Sequence, residues 1–315
     1  MPVSPFDIAP LGIDAPVRLF QHYKNAVQAI DDYQAALCAE AAQKRSIGLG
    51  VTDQDHPDEA FCLIPDNPVY PPLTIIGGMG PLAGALAFRR ACARFQDSRA
   101  VVLFQACSIP DRSTVILGEG CPDSHLCHEV ALKLAQAIRL AVDLAVSTSQ
   151  TARCIIACNS AHYFWRLVGN ELHETATQVQ MISMVESSVN ALKRASCKRT
   201  LLLTTEGAQV GKVFSEPCRN AGIAFDKPSP TLSRLLMSVI FEGMKSLNER
   251  RAIEFGNQFF EAILRTGREY DCILAGCTEL PLTIDLLKVS GNPAVAAFLS
   301  HIKIVDPLEE ALCHA

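Results

Sequence analysis

Short, mostly apolar runs alternate along this chain with longer stretches whose apolar positions recur every three or four residues. The runs lie at 73–76, 100–105, 153–157, 179–182, 201–204, 272–275 and 302–305. Runs of that length with little polar alternation predict strands buried on both faces. Between them, 81–94, 128–146 and 159–172 carry helical periodicity, and a last helix is expected from Pro307. Pro81 falls in the first turn of its helix, where a missing N–H costs nothing. Roughly eight strand–helix units over about 240 residues predict an α/β protein of two small doubly wound halves with parallel sheets, rather than one sheet.

Residues 1–72 read differently. The first 16 are Pro-rich and irregular. From Val17 to about Ala42 the pattern turns helical, with Phe20, Tyr23, Val27, Ile30 and Leu37 on one face. Residues 53–72 are polar and then dense in proline (Pro65, Pro68, Pro71, Pro72). Proline fixes φ and removes a donor, so this stretch predicts a linker or strap. The expectation for 1–72 is a helical N-terminal extension and Pro-rich linker.

Composition narrows the classes. The 315 residues are 49% hydrophobic and 19% charged, the profile of a globular chain with ample core material. A net charge of -5, no basic run and 6% aromatics argue against nucleic acid or a membrane as partner. No apolar run approaches the ~20 residues that span a bilayer. Residues 1–10 lack the basic-then-apolar pattern of a secretory signal. Thirteen cysteines, an odd number at irregular spacing, exclude a complete disulfide framework. A reduced, cytoplasmic protein is expected, with most cysteines acting as small buried hydrophobes.

Two cysteines stand apart. Cys158 closes the run 153–157 and Cys277 follows 272–275, in the segments Cys158-Asn159-Ser160-Ala161-His162 and Gly276-Cys277-Thr278-Glu279-Leu280-Pro281. Both have the form strand, small residue, Cys, polar residues, helix start. Sites in open α/β sheets collect at the carboxyl ends of strands. A thiol at a helix N-terminus is expected to have a lowered pKa, and the free N–H groups there suit a carboxylate. One strand-end cysteine is most often merely buried; the matched pair points to chemistry on a carboxylate held between two halves.

These motifs resemble the paired cysteine motifs of the aspartate/glutamate racemase superfamily, whose members work without pyridoxal phosphate. Gly77-Gly78-Met79-Gly80-Pro81-Leu82-Ala83 and Ile109-Pro110-Asp111-Arg112-Ser113 resemble two further motifs of its aspartate branch, and Glu279-Leu280-Pro281 also favours that branch. The resemblance implies two pseudo-symmetric Rossmann-like domains with the active site in the cleft between them. It places the first domain at 73–180 and 285–315 and an inserted second domain at 181–284. It implies a cofactor-independent racemase of acidic amino acids, aspartate and perhaps glutamate as well, and a homodimer.

By matching position, Cys158 and Cys277 become the acid/base pair, one thiolate removing the α-proton and the opposite thiol returning one. Asn159, Ser160 and Thr278 would cradle the α-carboxylate. Glu279 would orient a thiol or meet the substrate ammonium, and Met79 and Gly80 would line the site. Arg112 suits a side-chain carboxylate, because a guanidinium fork matches it; the competing reading is an ion pair with Asp111.

The sequence departs from the family at two places. Gly84 stands where the branch carries a hydroxyl residue. The loop 205–214 keeps only part of its pattern, with Ala208 in place of a hydroxyl and Lys212 in place of a glycine; Lys212 would reach an acidic substrate or simply face solvent. Relatives on this scaffold include hydantoin racemases, maleate isomerases and one-cysteine decarboxylases, and the departures leave open a catalytically weak binding module. Gly78-Met79-Gly80-Pro81-Leu82-Ala83 also fits a dinucleotide fingerprint, but strand 100–105 ends without an acidic residue for a ribose. Cys121 to His128 lacks a second ligand cluster, so no metal is expected. His162 reads as a packed, hydrogen-bonded histidine.

Overall fold

The computed structural model describes residues 15–49, 56–119, 121, 123–145 and 151–315. The irregular start, residues 53–55 and the expected helix end at Val146 lie outside the described residues. Two sheets organise the rest. The first has the order β1-β2-β4-β3-β5-β6, from Val17–Phe20 (β1), Glu59–Leu63 (β2), Tyr70–Gly77 (β3), Arg99–Gln105 (β4), Ala152–Ile156 (β5) and Val179–Ile182 (β6). The second has the order β10-β9-β7-β8, from Thr200–Thr204 (β7), Phe225–Asp226 (β8), Cys272–Gly276 (β9) and Lys303–Val305 (β10). All pairings are parallel except β2 with β4. The α/β class with parallel-dominated sheets is as expected.

Helices cover both faces of each sheet, which is why the strands are apolar throughout. On the first sheet, Tyr23–Ser46 (α1), Pro81–Phe95 (α2) and the C-terminal Pro307–Leu312 (α13) pack Ile30, Phe88 and Leu308 against one face. His125–Ala145 (α4) and Trp165–Glu174 (α5) cover the other with Leu134, Ile138 and Val168. On the second sheet, Glu249–Arg265 (α10), Leu280–Ser290 (α11) and Pro293–His301 (α12) bury Phe259, Phe260, Leu287 and Leu299 on one side. Met184–Arg194 (α6) and Ser215–Asn220 (α8) bury Leu192 and Cys218 on the other. Among the described residues no helix is long and apolar enough to cross a membrane.

Two boundaries differ from expectation. Residues 17–63 are not a separate extension. Val17–Phe20 is a strand, the helix starts only at Tyr23, and Glu59–Leu63 is a fully buried strand inside the supposed linker. That strand is only five residues long and flanked by polar and proline residues, so its apolar content is diluted in any longer window. It pairs antiparallel with β4 from Glu59↔Gln105 to Leu63↔Val101, extending the sheet where β4 would otherwise be an edge. At the other end, residues 285–305 do not return to the first unit. β10 pairs with β9 (Lys303↔Cys272), and only α13 crosses back, with Asp306 bound by Arg90 of α2 at 2.6 Å.

The cysteines also separate by position. None of the thirteen is in a disulfide, and seven of the eleven outside the motifs are buried, namely Cys62, Cys92, Cys107, Cys127, Cys154, Cys218 and Cys272. Burial pushes the thiols of Cys62 and Cys154 up to about 12. Cys38, Cys121 and Cys313 are exposed, so they are not fillers.

Phe61 of β2 is wholly buried against Tyr33 and Phe88. Phe61→Ala is expected to lower the unfolding free energy by about 3–5 kcal/mol, read as a shift of the urea midpoint. A change near zero would return residues 17–63 to the status of an appendage.

Candidate active site

In each sheet the parallel strands end at one edge, and the loops that leave those edges meet in a narrow cleft. The first sheet contributes Met79 after β3; Asp111, Arg112 and Ser113 after β4; and Cys158, Asn159 and Ser160 after β5. The second contributes Thr205 after β7; Cys277, Thr278 and Glu279 after β9; and Lys245. The two cysteines thus enter one cleft from opposite sheets, 7% and 5% exposed.

Their surroundings differ. After Cys158 the chain makes a five-residue 3-10 turn, Ser160–Phe164, before α5 begins. Beyond Cys277, α11 starts at Leu280. The Cys277 Sγ donates to Glu279 Oε2 at 2.9 Å, and Thr278 Oγ1 donates to the same oxygen at 3.0 Å. Burial, followed by the charge and hydrogen bond of Glu279, raises the Cys277 pKa well above the usual thiol value, against the opposing pull of Lys245. This reverses the expectation that a helix start would lower it. A carboxylate in contact outweighs a helix end. Cys277 is held as a thiol.

Several polar atoms here are buried without hydrogen-bond partners. They include Asn159 Oδ1 and Nδ2 and Glu279 Oε1. Buried polar atoms are normally satisfied, so the cleft is built to receive a ligand with both donors and acceptors.

Arg112 is 3% exposed, not a surface ion pair. Its Nη1 donates to Ile109 O at 3.2 Å and Pro110 O at 2.9 Å, and its Nη2 to Met79 O at 2.9 Å. The guanidinium therefore clasps the loop after β3 to the loop after β4. Burial alone would raise the Asp111 pKa, but Arg112, the Thr114 N–H and Lys245 outweigh it and hold Asp111 below the usual carboxylate range. Asp111 also accepts from Thr114 N at 2.7 Å at the start of Arg112–Glu119 (α3).

Lys212 is not in the cleft. It is exposed at a positive φ of 54° just beyond Glu206–Val210 (α7). Lys245 lines the cleft instead, at the end of a π-helical segment, Ser238–Lys245, that follows Pro230–Met237 (α9). Ser246 N donates five residues back to Phe241 O at 3.1 Å, the π pattern. Sequence reading missed Lys245, Asp111, Ser113 and Thr205. Three of these lay inside recognised motifs; Lys245 had no motif, and a π turn leaves no periodic signature. Thr205 Oγ1 meets Ser160 Oγ at 3.0 Å and Ser113 Oγ at 3.4 Å, a hydroxyl chain joining the two units.

Gly80 and Gly84 have spatial reasons. Gly80 caps α2 at φ 144°, and a Cβ there would lie 2.2 Å from Glu279 Oε1. At Gly84 a Cβ would lie 2.3 Å from Gln105 Oε1. The hydroxyl missing at position 84 leaves room that Gln105 takes.

His162 is structural, as expected. Its Nε2 accepts from Met184 N at 3.1 Å, so Nδ1–H donates to Cys158 O at 3.1 Å, and the ring stacks on Trp165. Cys127, in the first turn of α4, donates its Sγ to Cys121 O. Among the described residues no group of three or more His, Cys, Asp or Glu is placed to hold a metal ion.

A family model for Asp/Glu/hydantoin racemases matches residues 76–312. The chain belongs to this family. Among solved structures, an aspartate racemase from Picrophilus torridus is similar at 20% identity and a TM-score of 0.58, over 78% of this chain and 92% of that one. A candidate Asp/Glu racemase from Yersinia pestis is similar at 16% identity and a TM-score of 0.52, over 78% and 97%. The fold is the two-domain racemase fold of these neighbours. The family match begins at Ile76, so β1, α1 and β2 lie outside it.

Two predictions follow from the local geometry. Burial lowers the His162 pKa to about 4. Because the folded state holds the ring neutral, this stabilisation is complete above the unfolded value near 6.5 and is lost as pH falls toward 4. The loss is on the order of 3 kcal/mol, and His162→Asn is expected to lack it in urea titrations across that range. At the cleft, alkylation of Cys277 in a Cys158→Ala background is expected to be slow near about pH 7–8 and to quicken several-fold in Glu279→Gln. An unchanged rate would remove Glu279 as the group holding the thiol protonated.

Proposed function

We propose that this chain racemises acidic amino acids, aspartate foremost and glutamate as well, by proton exchange between two thiols and without a cofactor. The observation that carries the reading is the pair of cysteines entering one cleft from opposite sheets, with Cys277 held protonated. Inversion at Cα needs a base on one face and an acid on the other. In one direction the Cys158 thiolate takes the α-proton as Cys277 delivers its own proton to the opposite face. The configuration inverts and the two protonation states exchange. The reverse direction uses the same groups in exchanged roles.

Charge that develops on the α-carboxylate during proton removal needs preorganised donors. Asn159 Nδ2, the Ser160 hydroxyl and the backbone N–H groups of both cysteine loops supply them; the Thr278 hydroxyl is committed to Glu279, so Thr278 contributes through its backbone N–H. The distal carboxylate is best matched by the cationic side of the cleft, Lys245 and Arg112. Arg112 has both terminal nitrogens on backbone carbonyls, so it contributes charge and loop order; Lys245, whose Nζ makes one longer bond to Met79 O at 3.4 Å, is proposed as the contacting cation. In this reading a lysine from the second unit joins the guanidinium expected from sequence.

Incubation with L-aspartate in D2O is expected to yield D-aspartate deuterated at Cα. Cys158→Ala and Cys277→Ala should each lower kcat by at least about a thousandfold. Lys245→Ala should raise KM for aspartate by about ten- to a hundredfold. Retained racemisation in either cysteine variant would exclude the two-thiol mechanism. Turnover of hydantoins or maleate, with aspartate unchanged, would move the chain to another reaction of the scaffold.

A further inference from the structure

We propose that the N-terminal helix α1 braces the turn that presents Lys245, with Arg45 as the positioning residue that fixes this lysine at the cleft. The task of Lys245, contact with a distal carboxylate, rests on the racemase reading above.

Lys245 is the last residue of the π segment, and the chain turns immediately after it. Carbonyls at a helix end lack partners within the helix, and a cationic donor suits them. Here the donor comes from a distant part of the chain. Arg45, in the last turn of α1, donates from Nη1 to Ser246 O at 2.6 Å. That oxygen belongs to the residue that follows Lys245 and caps the π segment. The bond is partly buried and its donor is charged, which places it among the stronger hydrogen bonds.

A second contact, independent of the first, holds the same turn. Leu247 takes a φ of 53°, in the left-handed region that bulky residues rarely adopt. Its N–H donates to Met244 O at 3.0 Å, and Asn248 N donates to Gly243 O at 2.8 Å. Such a conformation persists where the surroundings over-determine it. For Leu247 the surroundings are apolar. Its side chain packs against the cluster that α1 and α2 build on the first sheet, which includes Ile30, Leu37 and Phe88. The turn 245–248 belongs to the second unit, yet the first unit grips it at one polar and one apolar point.

Between those points the direction of Lys245 is set. Its Nζ lies 5.1 Å from the centre of the Phe241 ring and reaches Met79 O at 3.4 Å. A π turn is a rare geometry. Without the brace it would relax toward α-type bonds and rotate Lys245 about the helix axis. Arg45 precedes the family match, which begins at residue 76. The positioning role therefore falls to a part of the chain that the family model does not describe.

The test uses Arg45→Met, which keeps the apolar stem and removes the donor, and Arg45→Lys, which restores a cation; melting temperatures check that both fold. In Arg45→Met, amide exchange across 243–248 should quicken by about fivefold or more. KM for aspartate should rise by about fivefold with kcat within about twofold. Arg45→Lys should recover at least about half of both changes. In a Lys245→Ala background Arg45→Met should leave KM unchanged, because the lysine it positions is gone.

Exchange across 243–248 that is the same in Arg45→Met and wild type overturns the brace. A KM penalty that persists in full without Lys245 overturns the positioning of that lysine. If the wild type turns over neither aspartate nor glutamate, the racemase reading falls and the brace is decided separately. It then stands on faster exchange together with a change of about threefold or more in the acetylation rate of Lys245 in Arg45→Met, and equal acetylation rates overturn it.

Discussion

The hydrogen bond from Cys277 to Glu279 is the interaction around which the cleft is arranged. A thiolate at that position would lie 2.9 Å from a carboxylate in a site shielded from water. Like charges at contact distance in a weakly screened environment repel by several kcal/mol, of the order given by Coulomb's law with an effective dielectric near 20. The second unit thereby rests with a protonated thiol facing the cleft. In the proposed reaction the opposing thiol is Cys158, which lines the same cleft from the other sheet. Two pseudo-equivalent motifs are made inequivalent by one side chain, since Cys158 is followed by Asn159 and Ser160 where Cys277 is followed by Thr278 and Glu279.

That pairing works only if the two sheets hold register across the cleft. The hydroxyl chain Ser113–Thr205–Ser160 ties the loops after β4 and β5 to the cap of α7, whose own Ala208 N–H is bound by Thr205. Gly207 permits the approach, because a Cβ there would meet Ser113 Cα at 2.6 Å. On the far side, Arg45 near the end of α1 donates to Ser246 O, one residue beyond Lys245. The N-terminal helix therefore packs on the first sheet and touches the second unit beside its cleft-lining cation. Individually such bonds contribute about 1 kcal/mol. Together they set the geometry in which the two thiols line one cleft.

Legibility from sequence followed the range of the interactions. The strand at 179–182 was placed to the residue, and that at 201–204 to within one, because short apolar runs report two-sided burial directly. The cysteine loops were legible because strand ends are where α/β sheets place chemistry. What failed was non-local. Burial and the Glu279 contact set the Cys277 proton affinity, and a helix-dipole argument confined to the adjacent backbone gives the opposite sign. Lys245 reaches the cleft through a π segment that no 3.6-residue period reveals. Glu59–Leu63 is a strand because β4 is there to pair with it.

The motif departure at Gly84 and the strands outside the family match are one feature. The space a residue-84 side chain would fill is held by Gln105, which donates to Pro81 O at 2.9 Å and lies within 3.5 Å of the Tyr33 hydroxyl on α1. Burial and the neighbouring charge of Glu59 raise the Tyr33 pKa, and burial raises that of Glu59 on β2. Both groups belong to the N-terminal segment. A hydroxyl at position 84 would act on the Gly-rich turn locally. Here the turn is held by a buried glutamine whose second partner comes from α1, so the turn beneath Met79 and Gly80 is tied to residues the family match does not include. The altered motif is therefore compensated by long-range packing, and the N-terminal segment supports the cleft through its floor.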